Sequence, residues 1–488
     1  MDERWYEGGV ATRVLKAPRI DFSGIRRELE LPDQFPLAAQ READAAAHAW
    51  TARPTTADRT DIRLVTIDPP TSRDLDQAMC LRRLDSGYRV FYAIADVSSF
   101  VSVGGELEAE TWRRGETVYL PDGNVPLHPV SLSEGAASLL PGQSRPAVLW
   151  TIDLDDAGST TAVRLERAVV RSLAKLDYAG VQADVDAGRL NDSIALLPEV
   201  GRLLLARGLQ RGAISLPIPE QEVEPDGAGW RLVLRASHPV EEWNAQISVL
   251  TGMAAAAIML KGGLGLLRTM PAPRPDAIAL LRKAAAGLGV DWPDGASVGT
   301  VLASVDPGNP RGAALIDQAS ELMRGAGYTA FDGSPPADPG HGAMAAPYAH
   351  VTAPLRRLAD RYATEVCLSL CDGLDVPEWV RDALPRLPDV MQSSGHRSSS
   401  AERAAVDLAE AVTLSGRVGE EFDAAVIDAD GRNHNHGNHG SDSPSGTVAL
   451  DEPPVRARCR GALALGERIR VRLVTADPQR RAVAFETA

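Results

Sequence analysis

The stretch Thr66–Met79, "TIDPPTSRDLDQAM", sets Asp68, Asp74 and Asp76 within nine residues, directly after the apolar run "LVTI". Arg73 is the one counter-charge among them. Carboxylates crowded into one site repel, and the usual remedies are solvent, protonation or a bound cation. A solvated turn built on Asp68-Pro69-Pro70 is one reading. A calcium loop is another, but the spacing lacks the glycine and closing glutamate of an EF-hand. A magnesium site is the third. Magnesium takes few carboxylates, keeps several waters and completes its shell with substrate phosphate. A chain carrying this cluster must therefore fold so that a strand delivers an acidic loop to a place where charge can be balanced.

The 488 residues suffice for two or three domains. A net charge of −15 argues against a surface coated in basic residues, though not against a local basic channel. No run approaches the roughly 18 uninterrupted apolar residues of a membrane span, so no membrane is expected as a partner. Four cysteines are too few for a disulfide framework, and a reducing cytoplasm is the expected location. Cys367 and Cys371, four apart on an apolar helix, read as core rather than metal ligands.

The patterning predicts three parts. Residues 1–54 read as a small helical module, either helix-turn-helix-like or a packing arm, with a turn at Leu31–Pro36. Residues 55–412 read as a mixed α/β (α+β) body. Its β-rich runs are "IRLVTID", "YRVFYAIADV" and "AVLWTIDL". Its helices run over Tyr178–Leu204, Pro239–Leu260, Ala277–Leu288, Arg311–Gly325, from Pro354 onward, and over Pro388–Leu414. Residues 413–488 read as five short strands, an all-β barrel of the OB type. His434, His436 and His439, between its first two strands, read as a polar loop or a metal site.

Asp68-Pro69, Asp74, Asp76 and Ala78 match the Asp-Pro-x4-Asp-x-Asp-acid-Ala hallmark of the ribonuclease II/ribonuclease R (RNB) family, with Gln77 at the position of the last acid. "RRGETVYLPDGNVPLHPVSLSEGAASL", "LDYAGV", "RGAISL", "PVEEW", "YAHVTAPLRRLAD" and "SAERAA" follow in the family's order. The chain resembles that family from Ile62 to Ala488. The resemblance implies an RNB-type catalytic domain and a processive, magnesium-dependent 3′-to-5′ exoribonuclease, with Mn2+ as a substitute metal. It would act as a monomer on single-stranded RNA 3′ ends and release nucleoside 5′-monophosphates.

By the same resemblance Asp68, Asp74, Asp76 and Gln77 are the expected metal ligands, with Asp76 the most sensitive. An amide at 77 adds no charge, which keeps a rival open: an RNA-binding protein with the RNB fold and weakened catalysis. Arg356 is expected at the start of a helix, where a guanidinium and the helix N-terminus together cradle phosphate. Arg357 is either an RNA contact or an ion-pair partner of Asp360. Tyr119 matches the tyrosine that stacks on the 3′-terminal base. Leu216 stands where relatives offer a second aromatic, Tyr178 lies further up the channel, and Glu241 and Glu402 match glutamates near the terminal ribose and phosphate. The alternating arginines of "VRARCRG" and "ERIRVR" share a strand face, either an RNA track or a solvated surface. Relatives carry two cold-shock domains at the N-terminus, each needing roughly 70 residues. The 54 here imply a more open channel mouth that admits 3′-overhang duplexes.

Overall fold

The structure, a computed structural model, describes residues 12–17, 19–50, 56–227, 229–429 and 444–488. The His434–His439 loop lies outside them. The chain begins with β1 (Thr12–Ala17), α1 (Ser23–Glu28) and α2 (Leu37–Ala49). The body sheet comprises β2 (Ala57–Asp58), β3 (Leu64–Ile67), β4 (Gln77–Arg83) and β5 (Tyr88–Ala95). After α3 (Glu106–Arg114) it is completed by β6 (Ser144–Leu154) and β7 (Thr160–Leu176). Next come α4 (Tyr178–Asp186), α5 (Leu197–Arg211), β8 (Glu220–Asp226), β9 (Gly229–Arg235), α6 (Pro239–Gly262) and β10 (Leu264–Thr269). A helical stretch follows, α7 (Pro275–Leu288), α8 (Val298–Ala303) and α9 (Pro310–Ser320), then β11 (Gly327–Asp332), β12 (Gly340–His341) and β13 (Ala346–Pro347). The body closes with α10 (Leu358–Cys371), α11 (Glu378–Ala383) and α12 (Leu387–Leu414). The last strands are β14 (Glu421–Asp428), β15 (Ser445–Leu450), β16 (Arg456–Arg460), β17 (Arg468–Asp477) and β18 (Ala482–Thr487).

The body sheet runs β2-β7-β3-β4-β5-β6, and β7 also pairs with β6. Thr160–Arg171 of β7 lie antiparallel to β6, and Ser172–Leu176 lie parallel to β3, so the sheet curls back on itself. Alternation along β4 and β5 divides their side chains between two cores. Met79, Leu81, Val90, Tyr92 and Ile94 join the core shared with α5, α6 and α10. Cys80, Phe91 and Ala93 join the core under α2 and α3.

Of the two readings of the N-terminal segment, the described residues fit the packing arm better than a helix-turn-helix-like unit. Both helices are present, but they pack on different cores. Ile25 of α1 sits with α12 and the C-terminal strands, whereas Ala43 of α2 sits against the body sheet. The sequence reading missed β1, β8 and β9, which form a three-stranded sheet ordered β1-β9-β8. The N-terminal segment is thus stitched to the middle of the chain. Its turn residues are local signals, but strand pairing across more than 200 positions leaves no local mark.

By length and composition α6 alone among the described helices could cross a membrane, with mean hydropathy 1.3, although Asn244, Gln246, Ser248 and Thr251 interrupt its apolar run. Here it packs between α5 and α10, with Trp243, Ile247, Leu250 and Met259 buried. Each such side chain contributes roughly 1.5–3 kcal/mol on burial. β14 to β18 close into a barrel ordered β14-β15-β16-β18-β17, the OB-type arrangement expected.

Candidate active site

β3 ends at Ile67 and β4 begins at Gln77, so the acidic loop spans the gap between two buried strands. Its backbone is tied down on several sides. Asp68 N–H donates to the Leu176 carbonyl (3.0 Å) and Ala95 N–H to the Asp76 carbonyl (2.9 Å). Lys175 Nζ donates to the carbonyls of Pro70 and Ser72 (both 2.6 Å). Ser138 Oγ accepts from Leu75 N–H and donates to the Arg73 carbonyl. Burial pushes Asp68 up to about 6, opposed by Thr66 and Lys175. Burial pushes Asp76, 5% exposed, up to about 8 against the pull of Arg356.

Arg356 reaches this loop from the other end of the domain. Leu355 N–H donates to Asp76 Oδ1 (2.8 Å), and Arg356 Nε lies 3.6 Å from Asp76 Oδ2. The residue is not in a helix, contrary to expectation. The Ala353 carbonyl accepts from both Arg356 and Arg357 N–H, closing a turn. Arg357 is extended and pairs with Glu116, so α10 cannot start before Leu358. Arg357 takes the second of its two expected roles. It binds Asp360 bidentately (3.0 and 2.9 Å), and Asp360 is fully buried. That carboxylate also accepts from Ala353 N–H (2.7 Å). The Arg356 side chain remains 45% exposed.

Gln77 does not stand free as a metal ligand. Its Nε2 donates to the Thr352 carbonyl (2.7 Å), and its Oε1 accepts from the hydroxyls of Tyr92 and Ser248. Tyr92 is itself fully buried. The first side chain of β4 faces the α6 core, and that core supplies the partners. The amide therefore braces the Arg356 turn, a role not anticipated from sequence.

Tyr119 is 42% exposed, and its hydroxyl donates to Asp74 Oδ2 (3.1 Å). Tyr178 opens α4, and Asn244 Nδ2 lies 3.4 Å from its hydroxyl. Burial and then the charge of Asp68 push that hydroxyl up to about 12. Leu216 and Glu402 are not brought to this cluster, whereas Glu241 adds its charge to that of Asp68 on Tyr178. Leu216 packs with the α7–α9 core, so no second aromatic wall is formed opposite Tyr119 at that residue. Glu241 pairs with Arg235 (2.6 Å) and caps α6 by accepting from His238 N–H (2.8 Å). Glu402 is exposed on α12, beyond Arg397, which donates to the carbonyls of Arg113 and Arg114. Sequence reasoning missed Lys175, Ser138 and His128 as supports of the site. Ser138 and His128 lie inside the "RRGETVYLPDGNVPLHPVSLSEGAASL" stretch, and that motif was the signal that could have found them.

A family model described as the RNB domain matches residues 57–368, well over half of the chain. The chain belongs to the RNB family. A second model, the RNase II-type exonuclease C-terminal S1 domain, matches residues 420–488. Exosome complex exonuclease RRP44 homolog A of Arabidopsis thaliana is 29% identical over 72% of this chain and 40% of its own length. Ribonuclease R 2 of Lactococcus lactis is 25% identical over 83% of this chain and 64% of its own length. The chain thus spans less than two thirds of either relative. In structure it is similar to the apo form of Mycoplasma genitalium RNase R, at a TM-score of 0.82 and 19% identity over 96% of this chain and 77% of that one. The same enzyme in complex with double-stranded RNA gives 0.80.

In this RNB domain the residues fit a hard divalent cation. Asp68 Oδ2 is buried with no hydrogen-bond partner among the described residues, and an all-oxygen carboxylate set suits Mg2+ or Mn2+. Among the described residues no three acidic, histidine or cysteine side chains form a ready cage. A cation that keeps its waters and takes phosphate oxygens needs none. In the S1 barrel the arginines divide by strand. On β17, Arg468 pairs with Asp451, Arg470 with Glu421 and Asp423, and Arg472 with Glu421 and Glu486. On β16, Arg456, Arg458 and Arg460 are exposed and have no ion pair within 4 Å among the described residues, while Ala457 and Cys459 between them are buried.

Proposed function

We propose that this chain is a 3′-to-5′ exoribonuclease that hydrolyses single-stranded RNA to nucleoside 5′-monophosphates with Mg2+. The observation that carries this reading is the meeting of the acidic loop with Arg356, through Asp76, in an RNB domain joined to an S1 barrel. Asp68, Asp74 and Asp76 would hold the cation; of Asp76, Oδ2 is the oxygen left by the backbone contact. Bound there, a divalent cation activates water and neutralises charge on the scissile phosphate. Arg356 faces the same phosphate with a guanidinium that no neighbour occupies bidentately. The exposed ring of Tyr119, tethered by Asp74, offers a stacking face for the terminal base, worth roughly 1–3 kcal/mol. Stacking and backbone contacts tolerate any sequence, which suits a processive enzyme. The ring-to-Asp74 bond also sets the distance between the terminal base and the reacting phosphate.

Digestion of 5′-labelled RNA tests the proposal. Mononucleotides are expected from the first minutes, together with a short end product, and only when a divalent cation and a free 3′ end are present. A ladder of internal cuts, or RNA bound without hydrolysis, would overturn it. The second outcome is what the rival reading, a binding protein with the RNB fold, requires.

The barrel carries a second expectation. In OB barrels the face of strands 2 and 3, here β15 and β16, meets nucleic acid. Replacing Arg458 and Arg460 together by Ala should weaken RNA binding and lower the salt slope by about 0.7 for each phosphate no longer neutralised. Replacing Arg470 and Arg472 should do less, because their charge is already matched by carboxylates. Affinities measured across a salt series decide it, and a larger loss from the β17 pair would move the track to that strand.

A further inference from the structure

His128 follows the short pairing of Val118 with Val125 and is buried, 3% exposed. Its Nδ1 lies 3.1 Å from the Leu355 carbonyl oxygen. A carbonyl only accepts, so Nδ1 carries the proton in this contact. Burial pushes the imidazole down to about 4, which keeps it neutral with that one donor committed to Leu355. A buried polar ring costs stability unless it is bonded, so an apolar side chain would fill this place more cheaply.

The bond falls on a residue with a second duty. Leu355 donates its N–H to Asp76 Oδ1 (2.8 Å) and offers its carbonyl to His128. That carbonyl belongs to the peptide unit joining Leu355 to Arg356. The next carbonyl, of Arg356, accepts from Thr117 N–H (2.9 Å), and Arg356 N–H bonds Ala353 (3.2 Å). Without the His128 bond, the Leu355–Arg356 peptide plane is held only by the 3.2 Å bond from Arg356 N–H to the Ala353 carbonyl and rotates more easily. That rotation would swing the Arg356 side chain away from Asp76 and loosen the amide that Asp76 accepts.

We infer that His128 is a positioning residue for hydrolysis: by holding the Leu355 carbonyl it fixes the direction of Arg356 and the orientation of the Asp76 carboxylate. It acts through backbone and touches no substrate. The inference rests on the exoribonuclease reading and adds a residue outside the acidic loop and the arginine turn. Positioning errors of about 1 Å can cost a hundredfold in rate, so an effect on turnover is expected even where the fold persists.

Three variants test it on a short single-stranded RNA: His128→Leu, His128→Asn and His128→Gln. The amide nitrogen of Asn falls near the Nδ1 position, whereas that of Gln falls further out. His128→Leu should lose at least tenfold in kcat with KM within twofold and a melting temperature close to wild type. His128→Asn should recover half or more of the wild-type kcat, and His128→Gln should not. A merely structural histidine would move the melting temperature and leave the Asn and Gln variants alike. Equal kcat for the Asn and Gln variants, or wild-type kcat in His128→Leu, overturns the inference while leaving the exoribonuclease reading intact. If the Leu variant does not fold, the Asn–Gln comparison decides. Wild-type protein without cation-dependent hydrolysis overturns both readings.

Discussion

Asp76→Asn is expected to slow RNA hydrolysis by about a thousandfold, roughly 4 kcal/mol of transition-state stabilisation, with RNA affinity nearly unchanged. The substitution preserves shape. An Asn oxygen still accepts from Leu355 N–H, so the turn carrying Arg356 keeps its anchor. What disappears is the negative charge that Asp76 would carry beside Arg356 with a cation bound. The metal-free fold should not suffer. Burial holds Asp76 near 8, well above its unfolded value of 3.8, so the folded state prefers the protonated form. Its contribution to stability is therefore present below about 3.8 and lost as pH rises through about 8. At neutral pH the neutral Asn removes that cost, and without divalent cations the variant should melt no lower than wild type. Single-turnover rates, RNA titrations and melting curves check the three parts. Turnover within tenfold of wild type would remove Asp76 from the reaction.

Arg356→Ala should lower kcat by roughly a hundred- to a thousandfold, the range seen when one preorganised donor to developing charge is removed. The neighbouring arginine cannot take over, because Arg357 is bound bidentately to the buried Asp360. Arg356→Lys should restore little, since a lysine ammonium lacks the planar fork that meets two phosphate oxygens. RNA affinity should fall less than turnover, because in the proposed reading Tyr119, Tyr178 and the barrel arginines would bind elsewhere along the strand. Equal losses in kcat and affinity would instead make Arg356 a general RNA contact.

Much of the architecture was legible in advance because it rests on local periodicity. The alternation in "YRVFYAIADV" became β5, with Tyr92 on one face and Phe91 on the other. Apolar spacing marked α6, α7, α9 and α12. The five strands after Leu414 closed into the barrel. The start of α10 was misplaced by four residues because Pro354 suits a first helical turn and a tight turn equally. Pairing of Arg357 with Glu116 decided between them.

Local pattern thus determined the chemistry on offer: three carboxylates after a buried strand, two adjacent arginines after a proline, an exposed-aromatic motif, and arginines at every second position of a strand. Tertiary structure alone decided who is free to use it. Gln77 meets Thr352 across 275 positions, Asp76 meets Leu355 across 279, and His128 meets Leu355 across 227. Those contacts turn Gln77 from a ligand into a brace, Arg357 into the partner of Asp360, and leave Arg356 open. Hydrogen bonds act only within about 3 Å. A side chain's availability is therefore set by whatever distant segment the fold brings to that distance, and no neighbouring residue in the chain records it.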